Sequence, residues 1–151
     1  MSDIALRETA AEPRQAEPSL PIFVYGTLKR GEQRERCWPY SPLKVEAATT
    51  RGRLYRLDEY PAMIAGDDLI LGELWTIRAE HLAETLRVLD AIECFGMDDV
   101  DLYTRVIVEC QGPTGNRQRA FTYYYAAPAE LPAQRRIFPD GEGNCSWTAV
   151  R

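Results

Sequence analysis

The sequence predicts an α+β fold, in which about five strands form a sheet and one amphipathic helix is inserted before the last hairpin. Three observations predict this fold. Strand-forming residues recur in separate runs along the chain, and only residues 79–92 carry a sustained helical period. A turn-rich segment at residues 111–116 joins the last two strand-like runs. Strands that follow one another in this way are typical of α+β folds rather than of doubly wound sheets.

The 151 residues are enough for one domain with a buried core. Residues 1–20 are polar, contain two prolines and show no sustained period, so they predict a flexible N-terminal arm. A short helix over residues 4–11 is the alternative. The predicted domain therefore comprises residues 21–151.

The first predicted strand is the apolar run Ile22–Tyr25, which stops abruptly at Gly26-Thr27. Consecutive backbone N–H groups in such a loop form a concavity that can hold a carboxylate or a phosphate. The run that follows, residues 29–36, is dense in charges of both signs and is interpreted as a solvated loop or helical turn.

Two further strands are predicted before the helix. Residues 43–57 favour a strand, or two strand pieces joined at a bulge near Gly52. Tyr60-Pro61 ends that element, and Asp67-Asp68 is interpreted as a turn. Residues 69–77 form the next strand, whose glycine permits the close approach of a neighbouring backbone.

The helix is predicted over Ala79 to Ile92, because Leu82, Leu86 and Leu89 fall within about 60° of one another at the helical period. Strands at residues 102–110 and 119–125 follow it.

The tail from residue 126 is rich in proline and glycine. It is expected to wrap the surface, pinned by Phe138 and Trp147.

Composition excludes several classes of function. A net charge of −5 without a basic stripe argues against nucleic acid as a partner. No apolar stretch approaches the roughly 18–20 residues that span a bilayer, and charged residues interrupt the N-terminus where a secretory signal would need an apolar core. We therefore expect a cytoplasmic protein with no membrane partner. The oligomeric state is not predicted.

The four cysteines are widely spaced, without a Cys-x-x-Cys pair, and His81 is the only histidine. No zinc site can be assembled at familiar spacings, so no metal is predicted. Free thiols are the expected state, with two disulfides as the alternative. Because His81 lies near the start of the helix and away from any apparent nucleophile, histidine-based catalysis is disfavoured.

Glu93 stands out because it breaks two local rules. It extends the leucine stripe by one turn, so its carboxylate projects from the apolar face, and it lies at the helix C-terminus, where the macrodipole opposes negative charge. Both effects raise the pKa of a carboxyl group and make it a better base. Alternatively, the helix frays at Asp90 and Glu93 turns outward to water.

Five landmarks carry a resemblance to a known family and together cover roughly residues 21–125. They are Tyr25-Gly26-Thr27-Leu28, Tyr60 to Gly66, Gly72-Glu73-Leu74-Trp75, Leu89 to Glu93, and Leu102-Tyr103-Thr104-Arg105. In this order the chain resembles the gamma-glutamylcyclotransferase-like superfamily, and most of all its gamma-glutamylamine cyclotransferase branch.

The resemblance implies a small, mostly antiparallel barrel-like sheet flanked by helices. It also implies an enzyme that needs no cofactor. The α-amino group of a gamma-glutamyl amine or peptide attacks its own γ-carbonyl, which releases 5-oxoproline and a free amine. Glu93 matches the family's catalytic acid/base. The amides of Gly26, Thr27 and Leu28 and the Thr27 hydroxyl are suited to hold the substrate's α-carboxylate.

Other candidate site residues have structural alternatives. Tyr103 matches a family tyrosine whose hydroxyl can bond the carboxylate or the substrate, or it is a cross-strand aromatic residue. Tyr25 lines the pocket or packs in the core. Arg105 pairs with a carboxylate or faces solvent, and Glu73 is a second acid or a structural mid-strand residue.

Two departures from the family pattern lie after the helix. Cys94 replaces the small residue of many relatives, and residues 95–101 carry three aspartates, which would favour a cationic leaving amine. Two other functions remain open: a non-catalytic binding module for small carboxylate-containing ligands, and a hydrolase in which Glu93 activates water.

Overall fold

The computed structural model describes residues 19–93 and 102–149. The predicted arm, apart from its last two residues, lies outside the described residues, as do Cys94 and the acidic connection 95–101. The described elements, in chain order, are strands β1 (Ile22–Val24), β2 (Lys44–Arg56) and β3 (Pro61–Thr76), helix α1 (Ala79–Ile92), and strands β4 (Tyr103–Gln111), β5 (Arg117–Tyr125), β6 (Arg136–Ile137) and β7 (Asn144–Cys145). Short 3₁₀ turns lie at Glu35–Cys37, Pro128–Glu130 and Ala133–Arg135.

The strands form one sheet in the order β6-β2-β4-β5-β1-β3-β7, and an additional pairing of β2 with β3 closes the five central strands into a barrel. Most pairs are antiparallel, whereas β1–β5 and β3–β7 are parallel. The predicted α+β class with a mostly antiparallel barrel-like sheet is confirmed.

The hairpin of β2 and β3 contains the bulge predicted near Gly52. The register passes from Arg53 opposite Ile64 to Gly52 opposite Asp68, so residues 65–67 are accommodated in the bulge. The predicted turn at Asp67-Asp68 is therefore wrong, and β3 runs without a break from Pro61 to Thr76. A bulge can absorb extra residues while pairing resumes on either side, so polar residues there do not end the strand.

Strand β1 is buried on both faces and connects two layers of the core. Ile22 and Val24 belong to the layer that contains the helix stripe, with Trp75 and Phe121. Phe23 and Tyr25 belong to the other layer, with the buried side chains of Leu54, Met63 and Leu74. This alternation follows from the period of two along a strand.

Gly72 on β3 permits the close approach that was expected there. A Cβ at this position would meet the Val24 carbonyl oxygen and the Phe23 ring. The sheet thus holds β1 tightly at the point where the chain leaves it for the Gly26 loop.

Helix α1 has the predicted bounds, and Leu82, Leu86 and Leu89 are all buried. Their stripe packs on the core layer that includes Ile22 and Phe121. This packing places the last turn of the helix, and with it Glu93, beside the end of β1.

The tail is pinned by only one of the two predicted anchors. Trp147 is 2% exposed, whereas Phe138 is 65% exposed. The expectation for Phe138 is wrong because it follows the two-residue strand β6 at the sheet edge, where the Arg136 guanidinium lies 4.5 Å from the centre of its ring.

Cys37, Cys110 and Cys145 are free thiols, as expected for these three cysteines. Among the described residues, no helix has the length and apolar character needed to cross a membrane.

Candidate active site

A cavity of about 290 Å³ opens where β1, the last turn of α1 and the start of β4 meet. Six of the residues predicted from the sequence line it, whereas Glu73 and Arg105 do not. The residues lining it are Phe23, Val24, Tyr25, Gly26, Thr27, Leu28, Arg34, Tyr60, Pro61, Ile92, Glu93, Leu102, Tyr103 and Tyr123.

The loop after β1 forms one wall of the cavity and turns sharply at Gly26. The Lys29 amide donates to the Gly26 carbonyl at 3.1 Å, and the Arg34 amide donates to the Thr27 carbonyl at 2.8 Å. A Cβ at Gly26 would lie 2.6 Å from Cγ of Pro61, so the position requires glycine.

The amides of Gly26, Thr27 and Leu28 donate no backbone hydrogen bond within the described residues. Buried backbone donors are normally satisfied, so donors left in a cavity wall can bind a ligand. Three consecutive N–H groups beside the Thr27 hydroxyl are suited to a carboxylate.

Glu93 caps the C-terminus of α1 and lines the opposite side of the cavity. Its amide donates to the Leu89 carbonyl at 2.9 Å, so the helix continues to this point and does not fray at Asp90. Burial raises the pKa of the Glu93 carboxyl from 4.5 to about 7, against the opposing effect of the Arg34 charge. A carboxyl group with this pKa can accept and return a proton near neutral pH.

Tyr25 and Tyr103 both line the cavity, but their hydroxyls bind backbone. The Tyr25 hydroxyl donates to the Tyr123 carbonyl at 2.6 Å, and the Tyr103 hydroxyl donates to the Pro61 carbonyl at 2.6 Å. Tyr103 also packs edge-on against Tyr125 with ring centres 5.6 Å apart, which agrees with the cross-strand alternative.

Burial is the main cause that raises the pKa of both tyrosines, and the negative charge of Glu93 adds to it. Both phenols therefore stay protonated at neutral pH.

Asp90, one helical turn before Glu93, anchors the helix to the sheet. Its Oδ1 accepts a hydrogen bond from the Tyr123 hydroxyl at 2.6 Å, and its Oδ2 lies 3.1 Å from Nη1 of Arg105. Arg105 thus pairs with a carboxylate, one of its two expected outcomes. The contact between Asp90 and Tyr123 was not predicted, because these residues lie on different elements, 33 positions apart in the sequence.

Arg34 lines the cavity and was not predicted from the sequence. It is half-buried and is the one cationic residue among the described residues that line the cavity. The sequence feature that could have indicated this position is that Arg34 follows Gly26 by eight residues. It lies in the charged run of residues 29–36, which was interpreted as a solvated loop or helical turn.

The candidate Glu73 and the histidine that was disfavoured as a catalyst both lie outside this cavity. Glu73 Oε1 accepts hydrogen bonds from the Arg30 amide at 2.9 Å and from the Trp75 indole at 3.1 Å, which fits the structural alternative. His81 stacks on Tyr40 with ring centres 3.9 Å apart in the first turn of α1. Within the described parts of the chain, no group of three or more His, Cys, Asp or Glu residues is placed to hold a metal ion.

Comparisons with known proteins show the family to which the chain is similar. Residues 22–148 match the family described as "Gamma-glutamyl cyclotransferase, AIG2-like". The chain is 32% identical over 108 residues to a gamma-L-glutamyl-butirosin B gamma-glutamyl cyclotransferase of Niallia circulans. That match covers 69% of this chain and 65% of the relative, just under two thirds of the relative's own length.

A second relative and a solved structure extend the comparison. The chain is 29% identical to the gamma-glutamylcyclotransferase family protein YtfP of Escherichia coli K12, over 72% of this chain and 85% of the relative. The crystal structure of an AIG2-like protein from Mus musculus matches with a TM-score of 0.56 and 23% identity, covering 87% of this chain and 97% of that one. At this identity the likeness concerns the fold.

Proposed function

The chain belongs to the gamma-glutamyl cyclotransferase, AIG2-like family, and on that premise we propose that it cleaves gamma-glutamyl amines or peptides to 5-oxoproline and a free amine. The nucleophile is the substrate's own α-amino group, so the proposed reaction needs no nucleophilic side chain and no cofactor. A cytoplasmic location belongs to the same proposal, and free thiols at Cys37, Cys110 and Cys145 fit a reducing compartment.

In the proposed mechanism, the loop amides and the Thr27 hydroxyl hold the α-carboxylate, and Glu93 accepts a proton from the α-ammonium group. The freed amine attacks the γ-carbonyl carbon, and its nitrogen loses a second proton as the ring forms. The bond from that carbon to the leaving nitrogen breaks, and Glu93 passes each proton in turn to that nitrogen. The two protons lost by the α-ammonium group leave with the product amine as an ammonium ion. Holding the gamma-glutamyl part of the substrate bent toward ring closure can lower the activation barrier of the cyclisation by about 7–11 kcal/mol.

One observation supports the proposal most directly: a carboxyl group with a pKa of about 7 lies in the same cavity as three consecutive backbone amides. A general base is most effective when its pKa is near the working pH. Tyr25 and Tyr103 are proposed to line the substrate site through their rings, because their hydroxyls already donate to backbone carbonyls.

The amine half of the substrate remains a hypothesis. The three aspartates in residues 95–101, outside the described residues, would favour a cationic leaving amine. Turnover of gamma-glutamyl-ε-lysine should then exceed that of a neutral gamma-glutamyl amide at low salt. Equal turnover of the two would contradict this hypothesis.

The decisive test is 5-oxoproline release from a panel of gamma-glutamyl amines by wild type and Glu93→Gln. This substitution keeps the shape of the side chain but removes the base, so release should fall by about 10²-fold or more. Glu84→Gln is the matched control, because Glu84 lies on the exposed face of the same helix and pairs with Arg87 at 2.6 Å. It should leave the rate unchanged.

Three results would contradict the proposal. Full activity in Glu93→Gln would remove Glu93 from the mechanism. Free glutamate in place of 5-oxoproline would indicate a hydrolase. Binding of gamma-glutamyl ligands without any product would leave a binding module.

A further inference from the structure

A backbone hydrogen bond holds Arg34 beside the loop of residues 26–28. Its amide donates to the Thr27 carbonyl at 2.8 Å, so the start of its side chain is fixed next to the predicted anion site. The residue is half-buried and lines the cavity together with Thr27 and Glu93. Among the described residues, its guanidinium has neither a hydrogen bond nor an ion pair.

The charges in the cavity require a cation at this position. A gamma-glutamyl substrate brings a carboxylate and an ammonium group, and Glu93 adds a second negative charge. Aromatic and aliphatic side chains form most of the surrounding wall, so an unbalanced charge there would be costly. With Arg34 the charges sum to zero, and they still do after Glu93 has taken the ammonium proton.

We propose that the Arg34 guanidinium binds the α-carboxylate of the substrate, together with the Gly26–Leu28 amides, and so selects the gamma-glutamyl end. This inference rests on the proposed function. A guanidinium presents paired N–H donors that match the two oxygens of a carboxylate. The Arg34 charge also lowers the pKa of Glu93, against the larger effect of burial, but no hydrogen bond or ion pair joins the two side chains among the described residues. Glu93 is therefore available to act on the substrate nitrogen.

The test pairs a change in the enzyme with a change in the substrate. The substrates are a gamma-glutamyl amide and its analogue with a neutral α-carboxamide, and turnover is followed through the released amine. Wild type should prefer the carboxylate substrate strongly. In Arg34→Gln this preference should shrink by about 10- to 100-fold through a higher KM, as expected for a lost charge-assisted hydrogen bond. Arg34→Lys should lie between the two.

Arg36→Gln is the matched control, because Arg36 is exposed, lies two residues away and undergoes the same change of charge. It should keep the wild-type preference. If Arg34→Gln lowers turnover of both substrates equally, its role is structural and the inference fails. If the preference instead follows a carboxylate placed on the amine half, Arg34 binds the other end of the substrate and the inference fails as well.

A binding measurement separates this inference from the proposed function. Calorimetry compares 5-oxoproline with 5-oxoprolinamide as ligands of wild type and Arg34→Gln. Binding of 5-oxoproline to wild type that weakens about 10-fold or more in the variant, while 5-oxoprolinamide is unaffected, supports the inference. Equal binding of 5-oxoproline to both proteins overturns the role of Arg34 alone, and no binding to wild type, with no turnover, overturns the proposed function.

Discussion

Glu93 illustrates how a single residue can work against the stability of its own helix. Its carboxyl group lies at a helix C-terminus and in a cavity wall rich in apolar side chains, and both positions disfavour the charged form. A carboxylate at this position lowers the stability of the fold, and such a residue often has a functional role. The same burial that costs stability brings the pKa to about 7.

This cost predicts a pH-dependent difference in stability between wild type and Glu93→Gln. The folded-state pKa of Glu93 is raised to about 7 from an unfolded value of 4.5. Its contribution is therefore fully present below pH 4.5 and is lost as the pH rises through 7. The variant should gain about 1–3 kcal/mol of unfolding free energy relative to wild type between pH 4 and pH 8, measured by urea unfolding.

The same ionisation should give kcat/KM an acid limb near pH 7, because only the carboxylate accepts a proton.

Glu84→Gln, at the exposed face of the helix, is the control for the stability measurement and should show no pH-dependent gain in unfolding free energy. A gain that is constant from pH 4 to pH 8 would mean that Glu93 has an ordinary pKa.

At the scale of elements, the position of Glu93 depends on how α1 is fastened to β4 and β5. The leucine stripe provides apolar contact, and Asp90 adds a directional link to Tyr123 and Arg105. The Asp90 and Arg105 side chains are each 19% exposed, so this pair is less screened by solvent than a surface pair. The link fixes the helix one turn before its catalytic candidate.

Asp90→Ala should therefore lower both stability and activity. Loss of the hydrogen bond from Tyr123 and of the Arg105 ion pair is expected to cost about 1–3 kcal/mol, measured by chemical denaturation. A displaced Glu93 should also reduce kcat at temperatures where the variant is fully folded. Glu84→Ala removes an exposed pair from the same helix and should cost less than about 0.5 kcal/mol. Equal costs in the two variants would show that Asp90 has no special role.

At the scale of the whole molecule, the closed barrel and its tail support the loop at Gly26. Trp147 is buried in the core layer that contains Tyr25, and its carbonyl accepts a hydrogen bond from Lys29 Nζ at 2.6 Å. The Arg56 guanidinium lies 5.7 Å from the centre of its ring. The tail therefore connects the loop to β2.

Trp147→Ala should destabilise the protein by about 3–5 kcal/mol through the cavity it leaves. It should also weaken substrate binding, because the loop loses its support. Phe138→Ala is the matched aromatic control, and at 65% exposure it should cost less than about 0.5 kcal/mol. Thermal unfolding and KM report the two effects, and similar losses in both variants would contradict the assigned anchor.

Much of this molecule could be predicted from local patterns, and the errors have a common cause. The helical period marked α1 and pointed to Glu93, and the abrupt end of the first apolar run marked the loop. The continuation of β3 through Asp67-Asp68, the surface position of Phe138 and the cavity position of Arg34 depend on contacts with other parts of the chain. A short sequence window gives no information about such contacts.

Closure of the barrel was inferred from a family resemblance for the same reason. It requires Ile22 to lie beside Phe121, and no local pattern specifies that pair. Local composition predicts which segments are strands, but it does not predict which strands become neighbours.

The central position of β1 determines when the site can form during synthesis. β1 emerges first among the described strands, yet one of its two partners, β5, is among the last large elements to be made. A nascent chain that ends before residue 117 already contains the Gly26 loop and Glu93, but one side of β1 still lacks its neighbour. Because such distant pairing is slow to form, the cavity is expected to be completed only after β5 has been made and has paired with β1.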